Sequence, residues 1–595
     1  MGANTFVGKF PCIILTCITI SLAVPGFSAD GKIELVKDGK SDYAIVIPAN
    51  AIPSEQRAAR ELQSALKQMS GADLPIQKDS ETTPAKAIVL GTLETNAFMR
   101  SVKDPISSTG LGAEGFKIRR FGPYLLIGGG RTRGVMYGVY SFLEDDLGCR
   151  WYSEKVSYIP KKKTIALPAT DRTEIPSFEY REPYYTEAMD KDWAARNRCN
   201  GNFAHLDEET GGKIGYQPFV HSFNNIISIA DYWTSHPEYF SEVNGERLSS
   251  RTQLCLTNPD VLDIAKRKVD RWIRKFPEAQ MISVSQNDVY NPCMCTECKK
   301  VYDATGSHSG QMLTFVNAIA EDVAKNHPGK LIDTLAYQYT EKPPNGIVPA
   351  PNVRVRLAPI DNCFGHPIDT CERNKNAFAN LEAWSSKTQN LYIWHYNTNF
   401  GNYPIPFPDF DELQGSTRAY YKLGIKGIFF QGVHAPGGGG EFAELRSWVL
   451  SKILWNAKRD VWPLIDDFLK GYYGDAAQPI RQYMDMMHAA VREENLHFKI
   501  NEGAKHVSYM KRKLIRKADS LFAQAEGLVQ NDPEVLDRVQ KARFSIDYAL
   551  LMLAKDKDEK ARYLEVVTKK IHKYGIQQIV EGQPVSKWLA SVSKN

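Results

Sequence analysis

The chain has 595 residues, of which 43% are hydrophobic, 24% charged and 11% aromatic; this is ordinary globular usage and excludes a disordered, collagenous or coiled-coil protein. Its 74 basic and 69 acidic residues leave a net charge of only +5, which implies no strong polyanion partner, and no nucleic acid is expected. At roughly 100–200 residues per domain, the length allows three or four domains, each able to bury its own core.

Taken from the N-terminus, Lys9 precedes an uncharged apolar run over 10–24, followed by Pro25-Gly26-Phe27-Ser28-Ala29. That order predicts a secretory signal peptide over 1–29 and export to the periplasm, the cell surface or the exterior. The run is shorter than the roughly 20 apolar residues that cross a bilayer, so no membrane span is expected. Residues 30–175 read as an α/β accessory domain. Strands are predicted at 33–36, 43–47, 87–90, 115–119 and 124–127, and helices at 54–70 and 133–147. Ala59, Leu62, Leu66 and Met69 recur at helical spacing in the first of those helices. Gly128-Gly129-Gly130 lacks both the Lys-Ser/Thr ending of a phosphate loop and the full dinucleotide spacing; it reads as a tight turn, and no cofactor is expected.

Over 176–458, strand-like runs alternate with amphipathic helices such as 259–276 and 311–326. Eight strands are predicted, at 184–188, 218–223, 253–256, 281–285, 332–337, 353–358, 391–395 and 427–431. Eight βα units predict an α/β fold of the TIM (β/α)8 barrel type. The alternative is a doubly wound open sheet, for which no glycine fingerprint is present. Residues 459–595 read as a C-terminal α-helical domain, with helices at 462–472, 479–493, 508–529, 533–554 and 560–573.

Eight cysteines follow the signal segment: Cys149, Cys199, Cys255, Cys293, Cys295, Cys298, Cys363 and Cys371. The close group Cys293, Cys295 and Cys298, with Cys255 as a possible fourth member, suits either disulfides or a structural zinc site. No nearby His pair leaves an open coordination position, so no catalytic metal is expected.

In a TIM barrel the working residues stand just after the strands, on the C-terminal rim. There the sequence offers Asp288, Asp361 and Glu441 as candidate catalytic carboxylates. Asn287, His221, Glu238, Tyr337, Tyr339, Trp394, His395 and Tyr396 are candidate substrate contacts. Acids of this kind transfer protons to a glycosidic oxygen, and aromatic rings stack on pyranose faces, so the expected partner is a glycan or glycoprotein.

Several stretches carry a family resemblance. They are the run from Gly128 to Gly138, His236-Pro237-Glu238-Tyr239-Phe240, Leu254-Cys255-Leu256-Thr257-Asn258-Pro259, Ser285-Gln286-Asn287-Asp288 with the cysteines after it, and Phe442-Ala443-Glu444-Leu445-Arg446. Over nearly its whole length the chain after the signal segment resembles the domain-of-unknown-function 4838 group, which became glycoside hydrolase family 163. Its N-terminal unit resembles the accessory domain of α-glucuronidases and β-hexosaminidases. The resemblance implies a retaining endo-β-N-acetylglucosaminidase acting on N-glycans, in which the substrate's own acetamido carbonyl attacks the anomeric carbon. Such an enzyme supplies a proton donor and a group that orients the acetamido N–H. The matching motifs place Asp288 with Asn287, and Glu441 with Glu444, in those roles. The chain departs from the family pattern at Asp361, where Glu is expected, and at Phe430, where an acid is frequent. The alternatives are an α-glucuronidase or exo-β-N-acetylhexosaminidase of the same architecture, or a glycan-binding protein that has lost its chemistry.

Overall fold

A computed structural model describes residues 1–2, 32–81 and 84–594. The apolar run 10–24 and the cleavage site predicted after it lie outside the described residues.

The N-terminal unit is built on a six-stranded sheet of β1 (Ala44–Ile47), β2 (Ile76–Lys78), β3 (Ala87–Leu90), β4 (Phe116–Phe121), β5 (Tyr124–Gly129) and β6 (Asp171–Glu174), in the spatial order β6-β4-β5-β3-β1-β2. The β6–β4 and β4–β5 pairs are antiparallel and the others parallel. Helix α1 (Pro53–Ser70) starts with Pro at its first position and with the Glu55 carboxylate accepting from the Ile52 N–H at 3.0 Å; it stops at Gly71, whose φ of +90° suits glycine. Leu62, Leu66 and Met69 form its buried face. After β5 the glycines turn the chain into α2 (Gly134–Ser141). A Cβ on Gly130 would lie 1.7 Å from the Gly112 carbonyl oxygen, so the turn packs directly on backbone. The helix expected over 133–147 ends sooner, because Phe142–Asp146 widens into a π turn that directs Glu144 onto Arg198 (2.6 Å) and Lys452.

A buried ion cluster joins this unit to the next. Glu114 accepts from Arg133 at 2.6 Å, from Arg181 at 2.6 Å and from Asn200 at 2.8 Å. Burial alone would raise its pKa, but Arg181 and Arg133 overcome that and hold it at about 2. A carboxylate depressed in this way stabilises the fold above the unfolded-state value near 4.3, and the contribution is lost as pH falls from there through about 2. Glu114→Gln strands two buried guanidinium groups and is expected to lower unfolding stability by about 3–5 kcal/mol, read by denaturant titration at pH 7. An unchanged midpoint would show that the cluster does not hold the two units together.

The second unit contains a curled sheet of six parallel strands: β7 (Tyr180–Tyr184), β8 (Met281–Ser283), β9 (Leu331–Tyr337), β10 (Val353–Ala358), β11 (Leu391–Tyr396) and β12 (Gly427–Gln431), in the order β7-β12-β11-β10-β9-β8. This is a parallel half-barrel, with six strands where eight were expected. The first strand forms four residues earlier than predicted, and 186–189, which overlaps the end of the predicted strand, is a 3-10 turn. Residues 218–223 run beside β8, with Ser283 N–H donating to Pro218 O at 3.3 Å and Ser222 N–H to Ser285 O at 3.1 Å. They do not become a strand, because Pro218 has no N–H to give and His221 adopts φ +51°. Residues 253–256 make a single bridge, Phe240 with Leu254, and otherwise serve a loop around Cys255. Asn200 spans the gap between β7 and this irregular chain: its side-chain oxygen accepts from the Arg181 N–H at 2.9 Å, and its carbonyl accepts from Ile214 N–H at 2.9 Å.

Inside the half-barrel, alternate residues of the strands meet. Tyr180 stacks on Tyr392, Trp394 packs edge-on to Phe429, and the Arg356 guanidinium lies 4.3 Å from the Phe219 ring and 2.8 Å from Asp333.

Beyond α3 (Ala443–Trp455) come α4 (Val461–Tyr473), α5 (Ala477–Glu493), α6 (Arg512–Leu528), α7 (Pro533–Ala542), α8 (Phe544–Met552) and α9 (Lys557–Tyr574). The helix expected over 533–554 breaks at Arg543, which pairs with Glu526 and Asp519. A short hairpin of Gln578–Val580 and Gln583–Pro584 follows α9 and was not expected. Among the described residues no helix is long and apolar enough to cross a membrane.

Candidate active site

After β8 the chain runs through Gln286 and Asn287 and bends at Asp288, and the first two of these are held by the protein. The Gln286 amide donates to Tyr337 O and Thr340 Oγ1, both at 2.8 Å. Asn287 donates from Nδ2 to Thr252 O at 2.9 Å and accepts at Oδ1 from Asn224 N–H at 3.0 Å. The amide of Asn287 is therefore occupied in bracing the loop, and it is Asp288 that stands exposed on the rim. Its Oδ1 accepts from the Tyr337 hydroxyl at 3.0 Å, and Gln338 Nε2 donates to that same hydroxyl at 3.0 Å. Burial first, and then the Asp288 charge, raise the pKa of Tyr337, so it is a firm donor at neutral pH.

On the other side of the rim, Trp394 Nε1 donates to Gln431 Oε1 at 2.8 Å, and Gln431 Nε2 donates to Glu581 Oε1 at 2.9 Å. Glu581 sits at the tip of the C-terminal hairpin, anchored by its own N–H to Phe400 O at 2.9 Å. Its pKa is raised, by desolvation first and by the charge of Asp288 second, against the lowering effect of the Gln431 bond. A carboxylate pushed towards its protonated form, with a second carboxylate near enough to contribute to that shift, makes a pair able to divide acid and base roles. His221 Nδ1 lies 2.7 Å from Gln286 O beneath this pair, and burial lowers its pKa against the raising effects of Gln286 O and Asp288. Tyr396 is buried beside Trp394, with ring centroids 6.2 Å apart, and Tyr184 stacks on His434 at 4.5 Å.

The other expected residues divide into two groups. Asp361 is exposed on the rim, 3.7 Å from Lys499, and its charge reaches Tyr337. Tyr339 packs edge-on to Tyr290 and His308 beside the cleft. The structure does not bring Glu441 to the group: its oxygens are taken by Phe407 N–H at 2.8 Å, Arg446 at 3.1 Å and the Tyr483 hydroxyl. Glu444 pairs with Lys541. Glu238 is exposed on another loop, 3.0 Å from His236. His395 faces away from the cleft, where it meets Tyr420 at 3.0 Å and Glu412 at 3.1 Å, because the strand period of two that turns Trp394 and Tyr396 inward turns His395 outward.

Glu581 was missed by the sequence reading. Its signal was the stretch Gln578-Ile579-Val580-Glu581-Gly582, a β-branched pair followed by a turn glycine, far from the barrel in the sequence.

Cys255, Cys293, Cys295 and Cys298 are buried with their sulfurs all within 4.8 Å of one another. Cys255 Sγ lies 3.6 Å from that of Cys295 and 3.9 Å from that of Cys298, close to the roughly 3.8 Å edge of a tetrahedron with Zn–S bonds of about 2.3 Å. Four thiolates fill a zinc ion's coordination, so such an ion would be structural. Gln253, two residues before Cys255, donates to Asn287 O at 2.9 Å and Val289 O at 2.6 Å, which ties the cluster to the loop that holds Asp288.

Tyr337→Phe removes the hydrogen bond to Asp288 and little volume. Turnover is expected to fall about 10- to 100-fold, the worth of a bond to a charged group, with the unfolding midpoint nearly unchanged. Unchanged turnover would separate Tyr337 from the chemistry.

The family profile described as "Domain of unknown function (DUF4838)" matches residues 151–485, more than half of the chain. The chain belongs to that family. In this DUF4838 chain a second profile, "Glycosyl hydrolase family 67 N-terminus", matches residues 35–142. No curated protein matches. Among solved structures it is similar to BtGH115A, a family GH115 4-O-methyl-α-glucuronidase with specificity for decorated arabinogalactans, at 14% identity and a TM-score of 0.58, over 91% of this chain and 77% of that one. It is also similar to a GH138 enzyme targeting pectin rhamnogalacturonan II (13% identity, TM-score 0.47, 93% and 74% covered). A third is CpGH84B (10% identity, TM-score 0.45, 94% and 97% covered). The first likeness places the DUF4838 chain in a fold that a glycoside hydrolase uses.

Proposed function

We propose that this protein is a glycoside hydrolase acting at the rim cleft between Asp288 and Glu581. The observation that carries the reading is the convergence of two carboxylates, a tyrosine donor and indole and phenol rings at the C-terminal ends of the parallel strands. The half-barrel is read as an incomplete (β/α)8 barrel, with irregular chain in place of the missing strands.

The finer reading is a retaining endo-β-N-acetylglucosaminidase acting on N-glycans outside the cytoplasm, and the motif Ser285-Gln286-Asn287-Asp288, similar to that of glycoside hydrolase family 163, supports it. In that reaction the acetamido carbonyl oxygen attacks the anomeric carbon as the glycosidic C–O bond breaks. Glu581 passes its proton to the leaving oxygen, and Asp288, with Oδ1 held by Tyr337, receives the acetamido N–H on Oδ2. Water then opens the oxazolinium ring, its proton returns to Glu581, and configuration is retained.

The fold likeness to an α-glucuronidase favours one second reading. Such an enzyme must grip a sugar carboxylate, yet Arg354 pairs with Glu179 at 3.0 Å and Arg356 is buried against Asp333, and Lys499 on the rim lies 3.7 Å from Asp361. Incubation with a glycoprotein bearing complex N-glycans, followed by mass spectrometry, tests both readings. Glycan release that leaves one GlcNAc on the protein is the expected result. Release of uronic acid from a glucuronate-decorated polysaccharide supports the second reading, release of single hexosamines marks exo action, and binding without any product removes the enzyme proposal.

A further inference from the structure

A second cluster lies apart from the four cysteines and from the proposed catalytic pair. Cys363 and Cys371 are buried in the loop after β10, His366 is between them, and His497 comes from the segment between α5 and α6. Cys363 Sγ is 3.2 Å from His497 Nδ1 and 3.7 Å from His366 Nδ1. Cys371 Sγ is 3.7 Å from His497 Nδ1, and the two imidazole centroids are 4.6 Å apart. All four ligand atoms fall within 4.8 Å of one another. A tetrahedral ion with Zn–S bonds near 2.3 Å and Zn–N bonds near 2.05 Å has S···N edges of about 3.6 Å, which matches the spacing of these side chains.

We propose that Cys363, His366, Cys371 and His497 hold a zinc ion that fastens the C-terminal helical region to the loop after β10. Two thiolates balance the charge of a divalent ion inside a largely buried site, and two neutral imidazoles complete a tetrahedral S2N2 set, the ligand type that selects zinc. With every position filled by protein, the ion is structural. A Cys363–Cys371 disulfide accounts less well for the cluster, because it gives no reason for two Nδ1 atoms to converge on the same sulfurs. The neighbouring bonds show what the ion would fasten. Phe364 N–H donates to Phe498 O at 2.9 Å, and Lys499, two residues beyond His497, reaches Asp361 on the rim at 3.7 Å. The centre thus sets the wall of the cleft without touching substrate, and the inference does not depend on the proposed reaction.

The test is metal analysis of the purified full chain, with alkylation mapping. His497→Ala and His366→Ala are each expected to lose one zinc per chain relative to the unaltered protein. In Cys298→Ser, which disables the four-cysteine cluster, cobalt substitution is expected to retain the absorption of an S2N2 centre. Unchanged zinc content in both histidine variants would overturn the proposal. The unaltered protein gives an answer that survives a folding defect in the variants. Cys363 and Cys371 should resist iodoacetamide until a chelator is added and react then without any reductant. Reaction before chelation, or only after reduction, would overturn the site, the latter in favour of a disulfide.

Discussion

Asp288→Asn is expected to lower turnover on the natural glycan by on the order of 10²–10⁴, the span associated with loss of a positioned acid–base group. The fold should persist, since Asp288 is exposed and its side chain makes one hydrogen bond, from Tyr337. The loop beneath it is held by Gln286, Asn287 and Gln253, none of which the substitution alters. The loss should therefore appear in kcat rather than in the unfolding midpoint. A substrate with a good leaving group distinguishes the roles. If Asp288 orients the acetamido N–H, an aryl glycoside will be cleaved as poorly as the natural glycan, because the attacking group is still misaligned. Rescue by that substrate would move the acid role to Asp288, and near-normal turnover on the natural glycan would remove Asp288 from the mechanism.

Glu581→Gln should cost a similar 10²–10⁴ on the natural glycan but be rescued by the aryl glycoside, whose leaving group needs no proton. The pH profile gives an independent reading. Desolvation, and then the Asp288 charge, raise the pKa of Glu581, so it keeps its proton above the value near 4.3 of an ordinary glutamate. An acid must be protonated to work, so kcat/KM should fall as pH rises through that raised pKa. The glutamine variant should lose this alkaline limb. A limb that persists in Glu581→Gln would assign it to another group and remove Glu581 from the acid role.

The strands read well where they are buried on both faces, because parallel strands in that setting are nearly continuous apolar runs: Leu391–Tyr396 and Gly427–Gln431 are examples. The runs at 218–223 and 253–256 carry β-forming residues too, but one opens on a proline and the other supplies a cysteine cluster, so neither has a partner ladder. Within the site, Asp288 and Tyr337 were legible from their place after a strand. The misplaced face of His395 was legible in principle, since two inward aromatics flank it. Glu441 followed the last strand in sequence, yet Arg446 and Tyr483 draw it into a buried network. Glu581 and His497 were hidden for a common reason: each reaches its partners across a long sequence separation, and only the docking of the helical region brings them together.

The hairpin that carries Glu581 is small: its Ile579 side chain is buried in the core, and its polar ties are Tyr403 N–H to Ile579 O at 2.8 Å, Gln577 N–H, just before the hairpin, to Pro436 O at 3.2 Å, and those of Glu581 itself. Asp288 lies nearly three hundred residues earlier, on the loop that follows β8. The two halves of the cleft therefore belong to separate elements, a small hairpin and the loop after an edge strand of the six-stranded sheet. A local excursion of the hairpin would disassemble the cleft while the sheet stayed intact, at a free-energy cost well below that of global unfolding. Catalytic competence would then measure the docking of seven residues, 578–584, rather than the persistence of the fold.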